Sequence, residues 1–207
     1  MPEPSSWENL YATSDVATLP WYTPDLDSDF EDALPRRRLG GKRILDLGTG
    51  PATHAIALAS RGYDLVATDI SPSAIKRAKR VAKTSGVRID FRVDDVLEST
   101  LETGSIDAIV DRGVFHTLAP ADRSVYVRTV HRILRPRGWL FLKCFSDKQP
   151  GTWGPHRISR KELHVSFDPA FEILSIVNTV FGGTLDESPK ALFAMMRRRE
   201  SAATRRE

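Results

Sequence analysis

The chain lacks the residues on which several protein classes depend. Its 207 residues include a single cysteine, Cys144, so the sequence offers neither an internal disulfide framework nor a cysteine-rich zinc site. It contains no apolar run of about eighteen residues, the length that a membrane-spanning helix needs. The N-terminus has neither the basic region nor the apolar segment of a secretory signal. The sequence therefore predicts a protein of the reducing cytoplasm without a membrane partner.

An excess of positive charge is also missing from the body of the chain. Residues 197–207 hold five arginines and two glutamates, which accounts for the whole net charge of +3. The other residues carry 25 basic and 25 acidic side chains. A nucleic-acid-binding face requires basic residues clustered on the folded body, so no nucleic-acid partner is predicted. No His, Asp or Glu group has metal-ligand spacing, and no metal site is predicted.

What the sequence does contain is an alternation of strand and helix patterns. Alternation of this kind implies right-handed crossovers, and therefore an α/β, Rossmann-like domain with a mainly parallel sheet covered by helices on both faces. The patterns predict strands at 44–47, 63–68, 88–93, 106–110, 139–145, 171–177 and 191–196. They predict helices after residues 51, 71 and 120, and a helical turn at 160–164.

The sequence divides into three parts around this pattern. Residues 1–42 form an N-terminal extension, predicted to be irregular or weakly helical with a short helix at 30–38. Its aromatic residues indicate that it packs on the domain, either as a lid over a pocket or as a patch on the core edge. Residues 43–197 form the domain, and residues 198–207 form a basic tail predicted to be disordered.

A glycine turn after the first strand predicts a nucleotide-like ligand. Asp46 is followed by Gly48 and Gly50 and then by a helix, whose first N–H groups are free to bind such a ligand. A nicotinamide dinucleotide site prefers a third glycine where Thr53 stands, and Asp46 would repel a pyrophosphate. A cofactor with positive charge and no phosphate fits better, and S-adenosylmethionine (SAM) has both properties.

Aspartates stand at the ends of four consecutive predicted strands: Asp46, Asp69, Asp95 and Asp111. In a parallel sheet these ends share the edge at which ligands bind. We therefore expect these carboxylates to serve function, although strand-end carboxylates also act as simple solvent-facing caps.

At these residues the sequence resembles the class I SAM-dependent methyltransferases. Leu45–Gly50 matches the first motif of the family, with Ala52 in place of the third glycine, and Leu134–Trp139 is similar to the turn before its fifth strand. The resemblance covers residues 43–145 and implies a seven-stranded, mainly parallel sheet. It implies that Asp69 holds the ribose, that Ile70 packs on the adenine, and that Asp95 and Val96 read the adenine edge. The other cofactor-binding residues that it implies are Asp46, Gly48, Thr49, Gly50 and Asp111.

Three segments resemble a subgroup of thiopurine, thiol, halide and tellurite-type methyltransferases: Pro20–Tyr22, Asp111–His116 and Gly154–Ser159. This resemblance implies transfer of a methyl group from SAM to a small-molecule S-, O-, N- or halide nucleophile, leaving S-adenosylhomocysteine (SAH). We expect a monomer or weak homodimer. An NAD(P)-dependent oxidoreductase and a non-catalytic SAM-binding protein remain the alternatives.

The catalytic candidates are Asp111 and His116, because a hydroxyl or amine acceptor needs a base whereas a thiolate or halide does not. Asp111 could instead cap a helix or pair with Arg112, and His116 could be structural. The predicted substrate-binding residues are Trp21, Tyr22, His116, His156 and Arg157, the last either clamping an anionic substrate or lying in solvent.

Overall fold

A computed structural model of the chain describes residues 4–37 and 39–200. Within these residues a single sheet has the strand order β3-β2-β1-β4-β5-β7-β6. The first five strands are parallel, and β7 is antiparallel to both β5 and β6. The predicted seven-stranded, mainly parallel Rossmann-like sheet is therefore confirmed. Its strands are Arg43–Leu47 (β1), Asp64–Asp69 (β2), Asp90–Val93 (β3), Ile106–Arg112 (β4), Leu134–Phe145 (β5), Phe171–Val180 (β6) and Lys190–Arg198 (β7).

Helices cover both faces of this sheet. They are Pro4–Thr13 (α1), Ser28–Ala33 (α2), Thr53–Ser60 (α3), Pro72–Thr84 (α4), Arg123–Ile133 (α5) and Arg160–Phe167 (α6). Short 3₁₀ turns lie at Val16–Thr18, Pro35–Arg37 and Phe115–Thr117. The pattern predicted α4 well, because Ser71 accepts a hydrogen bond from the Ala74 N–H as N-cap and Pro72 follows at the first helical position.

Strand alternation sends side chains into two separate cores. On one face, residues of β1 and β4 pack with Tyr126 and Val130 of α5 and Phe167 of α6. On the other face, Ile44 and Val110 pack with Phe30 of α2 and with α3. The order in which strands are added to the sheet reverses at β1, which pairs with β2 on one side and β4 on the other. In such a sheet ligands bind at the carboxyl ends of the strands beside this point.

The N-terminal extension is more helical than its composition indicated. α1 and α2 are both regular, and α2 begins two residues before the predicted helix because Asp27 accepts a hydrogen bond from the Asp29 N–H. It ends before Pro35, where the chain tightens into a 3₁₀ turn. Phe30 and Leu34 are completely buried, so this part of the extension belongs to the core.

The C-terminal third differs from the prediction in two boundaries. The helical turn expected at 160–164 is a full helix, α6, stabilised by a reciprocal capping box between Ser159 and Glu162. β7 extends through Arg198, so the predicted tail begins within a strand; its residues 201–207 lie outside the described part of the chain.

Candidate active site

The turn after β1 has a backbone that other residues would not adopt easily. Gly48 and Gly50 have positive φ angles of 69° and 50°. A Cβ atom on Gly48 would lie 2.2 Å from Val114 Cγ2, and one on Gly50 would lie 2.7 Å from the hydroxyl oxygen of Tyr11. The Thr49 N–H donates to the carbonyl of Thr68, which fixes the turn against the end of β2. Conformation and close packing together require glycine here.

Asp46 lies beneath this turn and is only 4% exposed. Its carboxylate accepts a hydrogen bond from the Thr49 hydroxyl at 2.6 Å. Burial, together with the nearby carboxylates of Asp69 and Asp111, raises the pKa of Asp46 to about 6, although the Thr49 hydrogen bond opposes the shift. Asp46 is therefore a carboxylate that lacks a compensating positive charge.

Asp69 closes β2 and faces the same turn. One of its oxygens accepts from the Gly50 N–H at 2.8 Å, and the other accepts from the Ser71 N–H at 2.9 Å. The side chain is 6% exposed, and burial raises its pKa. Ile70, next in sequence, is half-buried. The glycine turn therefore contacts Asp46 through the Thr49 hydroxyl and Asp69 through the Gly50 N–H.

The segment after β3 lies beside Asp69. The Asp94 N–H donates to the carbonyl of Asp69 at 3.1 Å. Asp95 is half-buried and accepts a hydrogen bond from the Leu97 N–H, and Val96 is buried. Asp95 and Val96 therefore stand at the neighbouring strand end, next to the predicted ribose site.

Asp111 is completely buried at the end of β4, and both of its oxygens are engaged. One accepts from the N–H groups of Gly113 and Val114, and the other accepts from the Phe115 N–H and from the Tyr126 hydroxyl at 2.6 Å. Arg112 does not pair with it. Asp111 thus holds the loop after β4 in shape and presents no free oxygen to a substrate in this arrangement.

His116 is buried against the rings of Phe145 and Phe181. Its Nδ1 accepts a hydrogen bond from the Phe145 N–H at 2.7 Å, which places the ring proton on Nε2 in the neutral form. Burial lowers the pKa of His116 to about 3, so the ring stays neutral at physiological pH. With its only lone pair occupied, His116 does not offer a base to an acceptor in this geometry.

The loop from Ser146 to Ser159 contains His156 and Arg157. The His156 N–H donates to the carbonyl of His116, which joins this loop to the one after β4. The Arg157 guanidinium donates to four backbone carbonyls of its own loop, those of Gln149, Pro150, Trp153 and Pro155. Arg157 is therefore half-buried, with its guanidinium engaged by its own loop, which it organises.

Residues of the N-terminal extension reach this site, and the sequence indicated them only through its aromatics. Trp21 and Tyr22 pack with Trp7 and Tyr11 beside α4. Trp7 and Tyr11 are four residues apart, a spacing that places both rings on one side of a helix. This spacing was the sequence feature that could have indicated the aromatic packing. Nothing in the sequence pattern identified the buried ion pairs that Asp27 forms with Arg112 and Lys143.

Comparison with known proteins identifies the family. A methyltransferase-domain family model matches residues 44–138. A 2-heptyl-1-hydroxyquinolin-4(1H)-one methyltransferase of Mycobacteroides abscessus is 34% identical over 183 residues, which cover 86% of this chain and 75% of that protein. The chain belongs to the SAM-dependent methyltransferases. This membership decides against the oxidoreductase alternative. A ubiquinone biosynthesis O-methyltransferase of Xanthomonas oryzae is 33% identical over 112 residues, but the match spans only 46% of its length.

Solved structures share the fold. A structure determined in work on the conversion of a disulfide bond into a thioacetal group during echinomycin biosynthesis aligns with a TM-score of 0.84, at 23% identity over 97% of this chain and 95% of that one. The Burkholderia thailandensis 1,6-didemethyltoxoflavin-N1-methyltransferase, solved with SAH, aligns with a TM-score of 0.68, at 19% identity over 95% and 85% of the two chains. The narrower resemblance to the thiopurine, halide and tellurite subgroup stays a prediction.

Residues 4–37 and 39–200 also lack two structural features. Within these ranges no helix is long and apolar enough to cross a membrane. In the same ranges, no three His, Cys, Asp or Glu side chains are grouped so as to hold a metal ion.

Proposed function

We propose that this methyltransferase binds SAM across the Gly48–Gly50 turn and methylates a small-molecule acceptor. The observation that carries the proposal is the convergence of three buried carboxylates, Asp46, Asp69 and Asp111, none of which forms an ion pair with a Lys or Arg of the described chain. Such a site disfavours phosphate and favours a cation. SAM carries an ammonium and a sulfonium and no phosphate, so the residues present fit it.

The predicted cofactor residues take distinct roles in this proposal. Asp46, Gly48, Thr49 and Gly50 would hold the methionyl part, with the Asp46 carboxylate nearest the ammonium. Asp69 would exchange its backbone partners for the ribose hydroxyls, and Ile70 would pack on the adenine. Asp95 and Val96 would read the adenine edge.

When bound, SAM supplies an activated methyl group for in-line displacement, and the chain contributes positioning and exclusion of water. Asp111 and His116 have their acceptor atoms engaged, so we infer that they position the loop after β4 instead of removing a proton. An acceptor served by such a site brings its own negative charge, as a thiolate, a halide or an acidic hydroxyl does. This agrees with the subgroup resemblance.

The acceptor would approach the carboxyl ends of β4 and β5. His116 and His156 lie together there, backed by the rings of Phe145 and Phe181. A groove of about 370 Å³ opens between the loop after β5 and residues 187–190, with the half-exposed Trp153 as its aromatic wall. A small planar acceptor would stack on Trp153 there, beside the polar side chains of Gln149, Glu187 and Lys190. Arg157 would shape this wall through the loop, and Trp21 and Tyr22 would close the cofactor side.

Calorimetry with SAM, SAH and NADH tests the cofactor. We expect SAM and SAH to bind and NADH not to bind. Asp69→Ala should weaken SAM binding by about tenfold or more, because each hydrogen bond to a charged group contributes on the order of 1.5–3 kcal/mol. Asp64→Ala, at the exposed opposite end of β2, is the matched control and should bind normally. Unchanged affinity in Asp69→Ala would refute the ribose assignment, and a lack of SAM binding would refute the proposal.

Mass spectrometry tests the acceptor. The panel begins with 2-heptyl-1-hydroxyquinolin-4(1H)-one, the compound named for the Mycobacteroides abscessus relative, and adds a thiol, a phenol, an amine and iodide. We expect methylation of the members that carry a negative charge near neutral pH. Methylation confined to a non-acidic amine would contradict the inference that the chain supplies no base. The monomeric or weakly dimeric state and the cytoplasmic location stay predictions.

A further inference from the structure

Helix α1 lies directly over the ribose side of the cofactor turn. Tyr11 is 5% exposed, and its hydroxyl is packed so closely on Gly50 that a Cβ there would lie 2.7 Å away. Asp69 is buried as well and lies close enough to Tyr11 that burial and the Asp69 charge together raise the pKa of the Tyr11 hydroxyl, whereas Gly48 is exposed. A ligand therefore reaches the methionyl side of the turn from solvent but reaches Asp69 only when α1 moves.

The part of the extension that covers the turn is an aromatic cap formed by Trp7, Tyr11, Trp21 and Tyr22. The rings of Trp7 and Tyr11 stack with centroids 6.4 Å apart, and Trp7 meets Trp21 edge-on at 5.9 Å. The cap packs against α4 through Ala74. These ring contacts join the four residues into one packed unit.

The far end of the cap is fixed to the sheet by an anchor cluster of Asp27, Arg112 and Lys143. The Asp27 carboxylate accepts from Arg112 Nε at 2.8 Å and from Lys143 Nζ at 2.7 Å, and all three side chains are at most 7% exposed. Arg112 also donates to the carbonyls of Trp21 and Gly182. Breaking a buried pair leaves an uncompensated charge, so this end stays attached.

The near end is held by Glu8, which is only partly buried. Its carboxylate accepts from the Ser71 hydroxyl at 2.5 Å, from the Ser73 hydroxyl at 2.6 Å and from the Ser73 N–H at 3.0 Å. These donors belong to the first turn of α4, and the Ser71 N–H in turn donates to Asp69. Water competes for hydrogen bonds at this position far more easily than in the anchor cluster.

We propose that the aromatic cap is a lid that opens about the anchor cluster for SAM and SAH exchange, and that Glu8 is the positioning residue that latches it. The inference rests on the proposed cofactor site. Buried ion pairs hold one end of the cap, whereas partly exposed hydrogen bonds hold the other. The surface that the cap covers between these two ends includes Asp69 and Gly50. Release of SAH then requires the Glu8 latch to break.

Stopped-flow tryptophan fluorescence of SAH dissociation tests the latch. Glu8→Gln keeps the shape but leaves one acceptor oxygen, so we expect SAH to dissociate about five- to tenfold faster. Ser73→Ala should act similarly, and the double variant should release SAH no faster than Glu8→Gln alone, because both remove the same contact. Glu31→Gln, which disrupts the exposed pair with Arg61, is the matched control and should leave the rate unchanged.

Hydrogen–deuterium exchange supplies a second readout. SAH should protect α1 in the native protein and protect it less in Glu8→Gln. Equal SAH release from Glu8→Gln and Glu31→Gln would overturn the latch, and so would SAH protection at residues 48–54 without any at α1. Failure of the native protein to bind SAH would overturn the cofactor site itself, which is a distinguishable result.

Discussion

The pH dependence of SAM affinity follows from the environment of Asp46. Burial raises the pKa of this carboxyl to about 6 in the free protein. An ammonium bound beside it favours the ionised form, so the pKa falls in the complex. At a pH between the pKa of Asp46 in the complex and its pKa in the free protein, SAM binding releases a proton from Asp46. Lowering the pH through 6 must therefore weaken SAM binding. The affinity is fully developed above the free-protein pKa and is lost below it.

The size of the effect can be worked from that pKa. A carboxyl that titrates near 6 is roughly nine-tenths protonated at pH 5 and one-tenth protonated at pH 7, so the Kd for SAM should be about tenfold weaker at pH 5. Calorimetry across this range measures it directly. Asp46→Asn should bind SAM more weakly and lose most of the slope, while retaining the Thr49 contact through its carbonyl oxygen.

Asp69 and Asp111 also have raised pKa values, so their titration could contribute to the pH dependence of SAM binding. A truncated ligand distinguishes the contribution of Asp46 from theirs. 5′-Methylthioadenosine has no amino acid moiety, so its affinity should not depend on the charge of Asp46. A Kd for SAM that stays constant between pH 5 and 7, or an equal slope for both ligands, would refute the placement of the ammonium at Asp46.

Two further predictions concern the loops around the site. Tyr126→Phe removes the hydroxyl donated to Asp111 and should lower the free energy of unfolding in urea by about 1–2 kcal/mol without changing SAM affinity; a weaker Kd for SAM at unchanged stability would contradict the loop-holding role of Asp111. Arg157→Met removes donors from four carbonyls of one loop and should raise hydrogen exchange at residues 149–155 about five- to thirtyfold, with SAM binding intact. Unaltered exchange there would mean that the loop holds its shape without Arg157.

Local patterns were sufficient for the elements that build the cofactor site. The run into Asp46, the glycines after it and the Ser71–Pro72 start of α4 each depend on neighbours within a few residues, so the sequence predicted them. The acidic residues at the strand ends met at one edge because parallel strands place their carboxyl ends together. The family's relatives confirm the methyl-transfer chemistry that these residues indicated.

Long-range partners were not predictable in the same way. Asp27 lies 85 residues from Arg112 and 116 from Lys143, and a charged residue in a sequence gives no sign of its partner. His116 looked like a base until the fold placed the Phe145 N–H against its Nδ1. Residue type indicated what each side chain is able to do, and the tertiary fold decided which atoms remained available to do it.

The loop between β5 and α6 has a consequence for how this scaffold diversifies. Ser146 and Ile158 bridge its base, and the Asp147 N–H donates to the carbonyl of Ile158, so its two ends are fastened to each other. This closure holds the end of β5 and the start of α6 in place independently of the exposed residues 151–154 between them. If the proposed acceptor site is correct, substitutions in this loop should change acceptor preference while the strands that carry Asp46 and Asp69 keep their places.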